Sequence, residues 1–453
     1  MTKHKTPILH MLNKLIKPLK LYGITAVLLG VLANAASAQD RTITLPEAIS
    51  LGLQTSKTLK YSQAKIDEAV SEYNQAKDKS LPTGSVSATY DRAQIPENLL
   101  RFGGETITLP TSANAYLGIA SINETIFGGN KLRYARQSTD LLTQVSRLSA
   151  SSDKDQITYD IISAYYNLYK VLQSLKVVNQ NIATVDAQIH QSQRFFDQGI
   201  VTKNDVLRFE LQKANIQLNG IDLESNRKII NYNLDILLGL PETTNLSIDE
   251  ITDAAKAVGP LSDYIDTALT TRQELQQLDL RNRVAQTNIK SIQANLSPTL
   301  AASAAGYYVG IAGNPIPKIG NDITPITVGL TLSWDFSALW TNKNKVAQAK
   351  IQQTEVEINK GITSDNVRNE VNQDYQNYIT ALSKIQLLQT SIAQAGENNT
   401  ILQNKYASNI ASATDRADAE TLLYQAQINL ELAKADAGLA YYTLLKSTGK
   451  LNK

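Results

Sequence analysis

The sequence predicts a mixed fold built as two internal repeats. Long antiparallel α-helices form a coiled-coil barrel, and four strands per chain contribute to a transmembrane β-barrel shared among chains. Three observations predict it. The twelve prolines leave residues 111–240 and all residues after 325 free of proline. Along the first of these stretches apolar residues recur at spacings of four and three. Residues 326–336 instead alternate between apolar and small or polar side chains.

The first residues read as an export signal. Lys3, Lys5, Lys14, Lys17 and Lys20 precede an apolar run from Leu21 to Leu32, and Ala36-Ser37-Ala38 follows as a cleavage site. The run is shorter than the ~20 residues a spanning helix needs, so residues 1–38 are expected to be a signal peptide and Gln39 the mature start. The whole chain has 44 basic and 42 acidic residues; removing five leader lysines and no acid leaves 39 against 42, a formal charge of −3. No later stretch approaches spanning length, so entry into a membrane requires something other than apolar helices.

Glu47 to Lys79 reads as a helix stopped at Leu81-Pro82, and Leu261 to Leu296 as a second, stopped at Ser297-Pro298. The parallels continue: Ile126-Phe127-Gly128-Gly129-Asn130-Lys131 matches Asp335-Phe336 with Trp340-Thr341-Asn342-Lys343. Gly199 before Asp205 matches Asn409 before Asp415, and the offsets of 209 to 216 residues indicate duplication with drift. The first repeat is expected over 39–240, with strands at about 84–94 and 111–126 and long helices at about 130–195 and 201–238. A linker follows at 241–260. The second repeat covers 261–453, with strands at about 299–311 and 324–336 and helices at about 341–406 and 412–446.

Ile157, Ile161, Ala164, Leu168, Val171, Leu175, Val178, Ile182, Val185 and Ile189 keep the 3.5-residue repeat of a left-handed coiled coil. Val371, Tyr375, Tyr378, Leu382 and Ile385 repeat it more loosely. A helix from Asn130 to Phe195 is roughly 99 Å long at 1.5 Å per residue, longer than a compact domain is wide.

Ile326, Val328, Leu330, Leu332, Trp334 and Phe336 place one apolar face opposite Thr327, Gly329, Thr331, Ser333 and Asp335. Rod-like helices offer that face no core, which favours a lipid-facing hairpin over a soluble one. Four strands cannot close a barrel, since the smallest membrane barrels have eight and open edges are not tolerated in lipid. If these strands span a membrane, several chains must then share one barrel, with lipid around it. Phe127, Trp334, Phe336 and Trp340, at the strand ends, are the candidate membrane-interface aromatics.

Composition excludes much else. With no cysteine there is no disulfide, thiolate ligand or lipid-anchored cysteine. Beyond the leader only His190 remains, on a helix face, so neither a histidine metal cluster nor a Ser-His-Asp site is available. There is no phosphate-binding glycine loop and no basic stripe for nucleic acid. The chain is therefore expected to be no enzyme, to use no cofactor and to bind no nucleic acid. A second reading is a periplasmic or surface coiled-coil structural or interaction protein without a pore; the strand at 326–336 speaks against it.

Across essentially the whole mature chain the pattern resembles the outer-membrane efflux protein family of TolC-like trimeric channel-tunnels. The resemblance rests on the duplicated layout and on Ile126-Phe127-Gly128-Gly129. It also rests on Arg194-Phe195-Phe196-Asp197-Gln198-Gly199-Ile200 leading to Asp205-Val206, and on Asp415-Arg416-Ala417-Asp418-Ala419. It implies a homotrimer with a twelve-stranded barrel in the bacterial outer membrane and the helical barrel in the periplasm. Such a protein is a passive exit duct, gated at its periplasmic entrance, for a tripartite efflux or type I secretion system. Its partners would be outer-membrane lipid, a periplasmic adaptor (membrane fusion) protein and an inner-membrane pump of RND, ABC or MFS type.

The resemblance also implies site residues. Gln198, Gly199, Ile200 and Val201, with Ser408, Asn409, Ile410 and Ala411, form the helical tips expected to dock the adaptor. Gly199 and Asn409 suit the left-handed conformation such turns demand. Asp415 and Asp418 match an acidic pair that narrows the entrance, giving a ring of carboxylates whose crowding is expected to raise some of their pKa values. In the first repeat Arg208 follows Asp205 at the same spacing and is expected to neutralise it. Tyr406 matches a tip tyrosine and Asp205 its hydrogen-bonding partner, a latch that holds the entrance closed. An arginine that reinforces the latch in some relatives is replaced by Ala411.

Overall fold

The structure, a computed structural model, describes residues 40–94, 96, 99–108, 112–249, 256–312 and 322–451. The expected signal peptide, Gln39 and part of the linker lie outside the described residues. The chain opens with β1 (Asp40–Ile43), α1 (Leu45–Thr55) and α2 (Lys57–Asp78). Then come β2 (Thr83–Gln94), β3 (Leu99–Phe102), β4 (Glu105–Thr108), β5 (Ser112–Phe127), α3 (Lys131–Asp197), α4 (Lys203–Leu238) and β6 (Asn245–Ile248). The second half holds α5 (Leu261–Thr271), α6 (Gln273–Gln293), β7 (Thr299–Ala312), β8 (Asp322–Ile323), β9 (Ile326–Ser333), α7 (Ala338–Ala407) and α8 (Ala413–Ser447). Each expected single helix before a hairpin is in fact two. Ser56 ends α1 by donating its N–H to Gly52 O, and Arg272, in extended backbone, ends α5 by donating to Ala268 O.

The chain forms two compact units. One comprises the described residues within 57–157, 258–377 and 442–451 and holds the main sheet. Its long strands run in the order β2-β5-β7-β9, all antiparallel, so β2 and β9 are edges. Register places Val86, Ala120, Ile122, Ala304, Val328 and Leu330 on one face, with Ser85, Ser87, Ser121, Ser303, Thr327 and Thr331 on the other. Ile326, Val328, Leu330 and Leu332 are 70–83% exposed, an apolar surface without a core beneath it.

Three details depart from expectation. The loop after β2 carries the small hairpin β3–β4, turned by Gly103 and Gly104, both at positive φ. The last strand does not run through 324–336: Pro325 separates β8 from β9, and β9 stops at Ser333. There Asp335 Oδ1 accepts hydrogen bonds from Ser337 N (3.1 Å) and Oγ (2.6 Å) and turns the chain into α7.

Helices in this unit are tied by polar contacts between small side chains. Ser62 donates to Asp153 Oδ2 at 2.6 Å, Gln273 to Asp155 Oδ2 at 2.6 Å, and Asn342 to Ile292 O at 2.9 Å. Arg272 pairs with Glu274 and Glu370 and donates to Ser447 O, while Thr271 donates to Thr448 O. These contacts clamp the end of α8 beside the α5–α6 break.

The other unit comprises, among the described residues, 40–56, 158–249, 256–257 and 378–441. Its parallel β1–β6 pair was not expected from sequence. Tyr165 donates to Ile43 O at 3.1 Å, and a Cβ on Gly52 would sit 2.3 Å from Ile161 Cδ1. Of the predicted coiled-coil seam, Ile161, Leu168, Val178 and Val185 are buried. A second, polar seam through Ser174, Asn181, Gln188 and Ser192 is buried too, because α3 is flanked on more than one side.

Asp235 is the outlier of this core. It is fully buried, its Oδ2 accepts from Asn231 at 2.8 Å, and its Oδ1 has no partner. Burial raises its pKa from 3.8 to about 6. A carboxyl with a raised folded pKa contributes stability that is complete below its unfolded value near 4 and lost as pH rises through about 6. Asp235→Asn is therefore expected to be more stable than the parent at pH 7.5, by on the order of 1–3 kcal/mol, with the difference gone at pH 4. Thermal unfolding followed by circular dichroism at both pH values checks this; an equal difference at both would refute it.

Candidate functional site

The two turns that reverse the long helices are built alike. Helix α3 ends when Gly199, at φ 72°, donates to Phe196 O and Ile200 donates to Phe195 O. Helix α7 ends with Asn409, at φ 57°, donating to Tyr406 O and Ile410 donating to Lys405 O. Both are Schellman endings that satisfy the last carbonyls. In each turn an isoleucine points outward, Ile200 at 45% and Ile410 at 75% exposure, an apolar mark on otherwise polar loops. Gln198, Gly199, Ser408 and Asn409 are exposed as well, while Val201 and Ala411 are half-buried.

The following helices start with the same cap. Asp205 Oδ2 accepts from Thr202 N (2.8 Å) and Oγ1 (2.7 Å). Asp415 Oδ2 accepts from Ser412 N (3.1 Å) and Oγ (2.7 Å). These carboxylates complete capping boxes at helix N-termini, where the dipole also favours them. The Ser412 hydroxyl, followed by its backbone N–H, holds the Asp415 pKa below the usual carboxylate range within the chain. Asp418, one turn on, is exposed and makes no ion pair among the described residues. The expected pairing of Arg208 with Asp205 is not formed: Arg208 is exposed, and Asp205 is engaged by Thr202.

Tyr406 is 4% exposed and packs between Phe195 and Phe209, with ring centroids 6.0 and 5.8 Å away. Its hydroxyl makes no well-formed hydrogen bond among the described residues, although the Ser192 hydroxyl lies beside it. Burial raises its pKa, opposed by the Ser192 hydroxyl and aided to a smaller extent by the Asp205 charge. The hydrogen bond expected between Tyr406 and Asp205 is thus absent within one chain, because the tyrosine is used for packing and the aspartate for capping. Tyr406→Phe removes a hydroxyl whose contact with Ser192 is at most weak and is expected to shift stability by less than about 0.5 kcal/mol. Single-channel conductance is expected to be unchanged as well. A clear rise in open probability would restore the latch.

Sequence reasoning missed a buried ion pair one residue inside the acidic face. Arg416 and Glu420 are each 3% exposed, and their side chains pair at 3.0 Å. Gln188 donates to Glu420 Oε2 at 3.1 Å, and Arg416 donates to Asn399 Oδ1. The pair therefore joins α8 to both α3 and α7. An i,i+4 Arg-Glu spacing was the available signal.

A second constellation lies where strands meet helices. The β5 register shifts between Thr125 and Phe127, a bulge that brings Phe127 opposite Leu300. Phe127 is 46% exposed, Trp334 51%, Phe336 61% and Trp340 62%. Phe336 and Trp340 meet edge to face at 5.9 Å, and Trp334 Nε1 donates to Leu296 O at 3.1 Å. Among the described residues no helix is long and apolar enough to cross a membrane, and no group of His, Asp and Glu could hold a metal ion.

Long helices turned by capped tips, joined to a sheet with an exposed apolar face, define a class of membrane channel protein. The family model for outer membrane efflux proteins matches residues 48–240 and 264–450. The chain belongs to that family: it is an outer-membrane efflux channel and not an enzyme, located in the bacterial outer membrane with its helical part on the periplasmic side. It is 21% identical over 441 residues to the outer membrane efflux protein BepC of Brucella suis, covering 95% of this chain and 90% of that one. With TolC of Escherichia coli strain K12 it shares 20% over 440 residues, 94% and 86% of the two chains. Its fold matches the solved structure of VceC from Vibrio cholerae with a TM-score of 0.74 at 16% identity, covering 89% of this chain and 96% of that one.

Proposed function

We propose that three copies of this chain form a passive exit duct, each giving four strands to one closed barrel and its long helices to a periplasmic tunnel. The observation that carries the reading is the sheet itself. Among the described residues it ends in two unpaired edges, β2 and β9, and carries an apolar face with nothing over it. An open edge in lipid leaves backbone groups unsatisfied at several kcal/mol each, so the edges must meet those of neighbouring copies. An even number of antiparallel strands per chain allows that closure without changing strand direction. The paired family matches over 48–240 and 264–450 support an origin by duplication.

Energy comes from elsewhere, through a periplasmic adaptor and an inner-membrane pump. The exposed tips with Ile200 and Ile410 supply the adaptor contact. Gating occurs at the same end, where Asp418 contributes uncommitted charges and Asp415 charges tied to a cap. The purified protein is expected to require detergent, to run as a trimer when unheated, and to conduct in planar bilayers. Block of that current by multivalent cations is expected to weaken with Asp418→Ala. A soluble monomer without conductance would overturn the duct, and unchanged block would remove Asp418 from the entrance.

A further inference from the structure

We propose that the strand-to-helix turns bind headgroups of anionic phospholipids in the periplasmic leaflet of the outer membrane. The proposal relies on the outer-membrane placement established by family membership. Eight basic residues lie within about two turns of those junctions: Lys77, Lys79, Lys131, Arg133, Arg136, Lys290, Lys343 and Lys345, all exposed. The acids on the same turns and strand ends are Asp78, Asp335 and Glu124, and Asp335 is engaged by Ser337. None of the eight forms an ion pair among the described residues.

For Lys131 and Arg133 the position itself favours an external anion, whereas Lys77 and Lys290, in the last turns of α2 and α6, are already favoured by the helix dipole. Helices α3 and α7 carry no acid in their first turns. Lys343 and Lys345, in the second and third turns of α7, lie past the reach of its dipole and only add charge to the same belt; Lys131 and Arg133 open α3, where the dipole disfavours cations. Such placement is unfavourable for the isolated chain and becomes favourable against a negatively charged surface. The surrounding chemistry supplies the surface. Phe127, Trp334, Phe336 and Trp340 stand on the same junctions, the level at which aromatic side chains settle between hydrocarbon and water.

A groove of about 510 Å³ combines both features. Lys131 and Arg133 line it together with Ile126 and Phe127, which are 57% and 46% exposed. A phosphodiester would meet the cations and an acyl chain would follow Ile126 and Phe127 along the sheet. The charge selects phosphatidylglycerol or cardiolipin over a zwitterionic lipid.

The test uses the full-length trimer, washed with equal amounts of phosphatidylglycerol and phosphatidylcholine and examined for retained lipid by native mass spectrometry. Phosphatidylglycerol is expected to be retained at least about tenfold over phosphatidylcholine, and retention to fall as salt rises. Substituting Lys131, Arg133, Lys343 and Lys345 with Gln is expected to weaken retention by roughly fivefold for each charge that contacts a headgroup. Lys203→Gln with Lys405→Gln, at the helical tips, is expected to change nothing. An unheated gel on each variant separates loss of the trimer from loss of lipid selectivity. If the fourfold variant fails to assemble, the salt dependence of the parent decides. Equal retention of both lipids, or retention indifferent to salt, would overturn the proposal and leave the belt to an acidic protein partner.

Discussion

Arg416→Ala is expected to destabilise the tip of α8 by about 3–5 kcal/mol, the largest effect of any single substitution in the helices. The wild-type pair is buried on both sides, at 3% exposure each, and Glu420 also accepts from Gln188. Removing the guanidinium leaves a carboxylate with one amide donor and no counter-ion, in a place water does not reach. The cost comes from the partner left behind rather than from the lost contact. The double substitution Arg416→Met with Glu420→Met is therefore expected to recover most of the stability, because two apolar side chains of similar length fill the space without charge. Denaturant unfolding and limited proteolysis at the 408–412 turn measure both variants. If the double variant were as unstable as the single, the pair would be favourable in its own right. The pair holds α8 against α3 and α7 next to Asp418, so under the proposed duct loosening it is expected to raise the conductance at the proposed entrance.

The second large effect separates the two faces of one strand. Leu330→Arg is expected to cost about 2–4 kcal/mol in insertion, the range for a charge near the bilayer midplane of a barrel. Thr331→Arg, its neighbour, is expected to insert normally and to shift ion selectivity toward anions. Register supports the assignment, since Leu330 lies opposite Ala302 on the apolar face and Thr331 opposite Ala301 on the other. Yield of trimer in the outer membrane fraction reads the first result, and reversal potential in a salt gradient reads the second. Equal tolerance at both positions would mean that neither face meets lipid.

How much of this was visible in the sequence depended on periodicity. Val178 and Val185 declared themselves by the heptad, and Val328 and Leu330 by alternation, because each signal runs over several turns or pairs. The four-residue strands β1 and β6 are too short to show a period, and their parallel pairing joins residues 205 positions apart. The helix breaks at Ser56 and Arg272 lack proline or glycine; Arg272 is fixed by partners distant in sequence, Glu370 and Ser447.

At the tips, the turn residues Gly199 and Asn409 were legible because backbone conformation restricts them directly. The roles of the acids were less so. Asp205 and Asp415 follow Thr202 and Ser412 by three residues, a spacing that already signals a cap. A functional resemblance drew attention to their charge instead. Tyr406 showed the same ambiguity: a tyrosine at a turn can donate a hydrogen bond or fill a core, and its phenylalanine neighbours decided for the core.

The central claim is that edges β2 and β9 of different copies pair to close one barrel, and disulfide trapping tests it most directly. The chain has no cysteine, so any crosslink reports an introduced pair. Cysteines are placed in β2 at Ser85, Ser87 or Thr89 and in β9 at Thr327, Gly329 or Thr331, all on the less apolar face. Oxidation in the outer membrane is expected to give, for at least one combination, a reducible ladder of one, two and three chains that ends at three. Monomer alone for every combination, or a ladder that continues past three, would contradict the account.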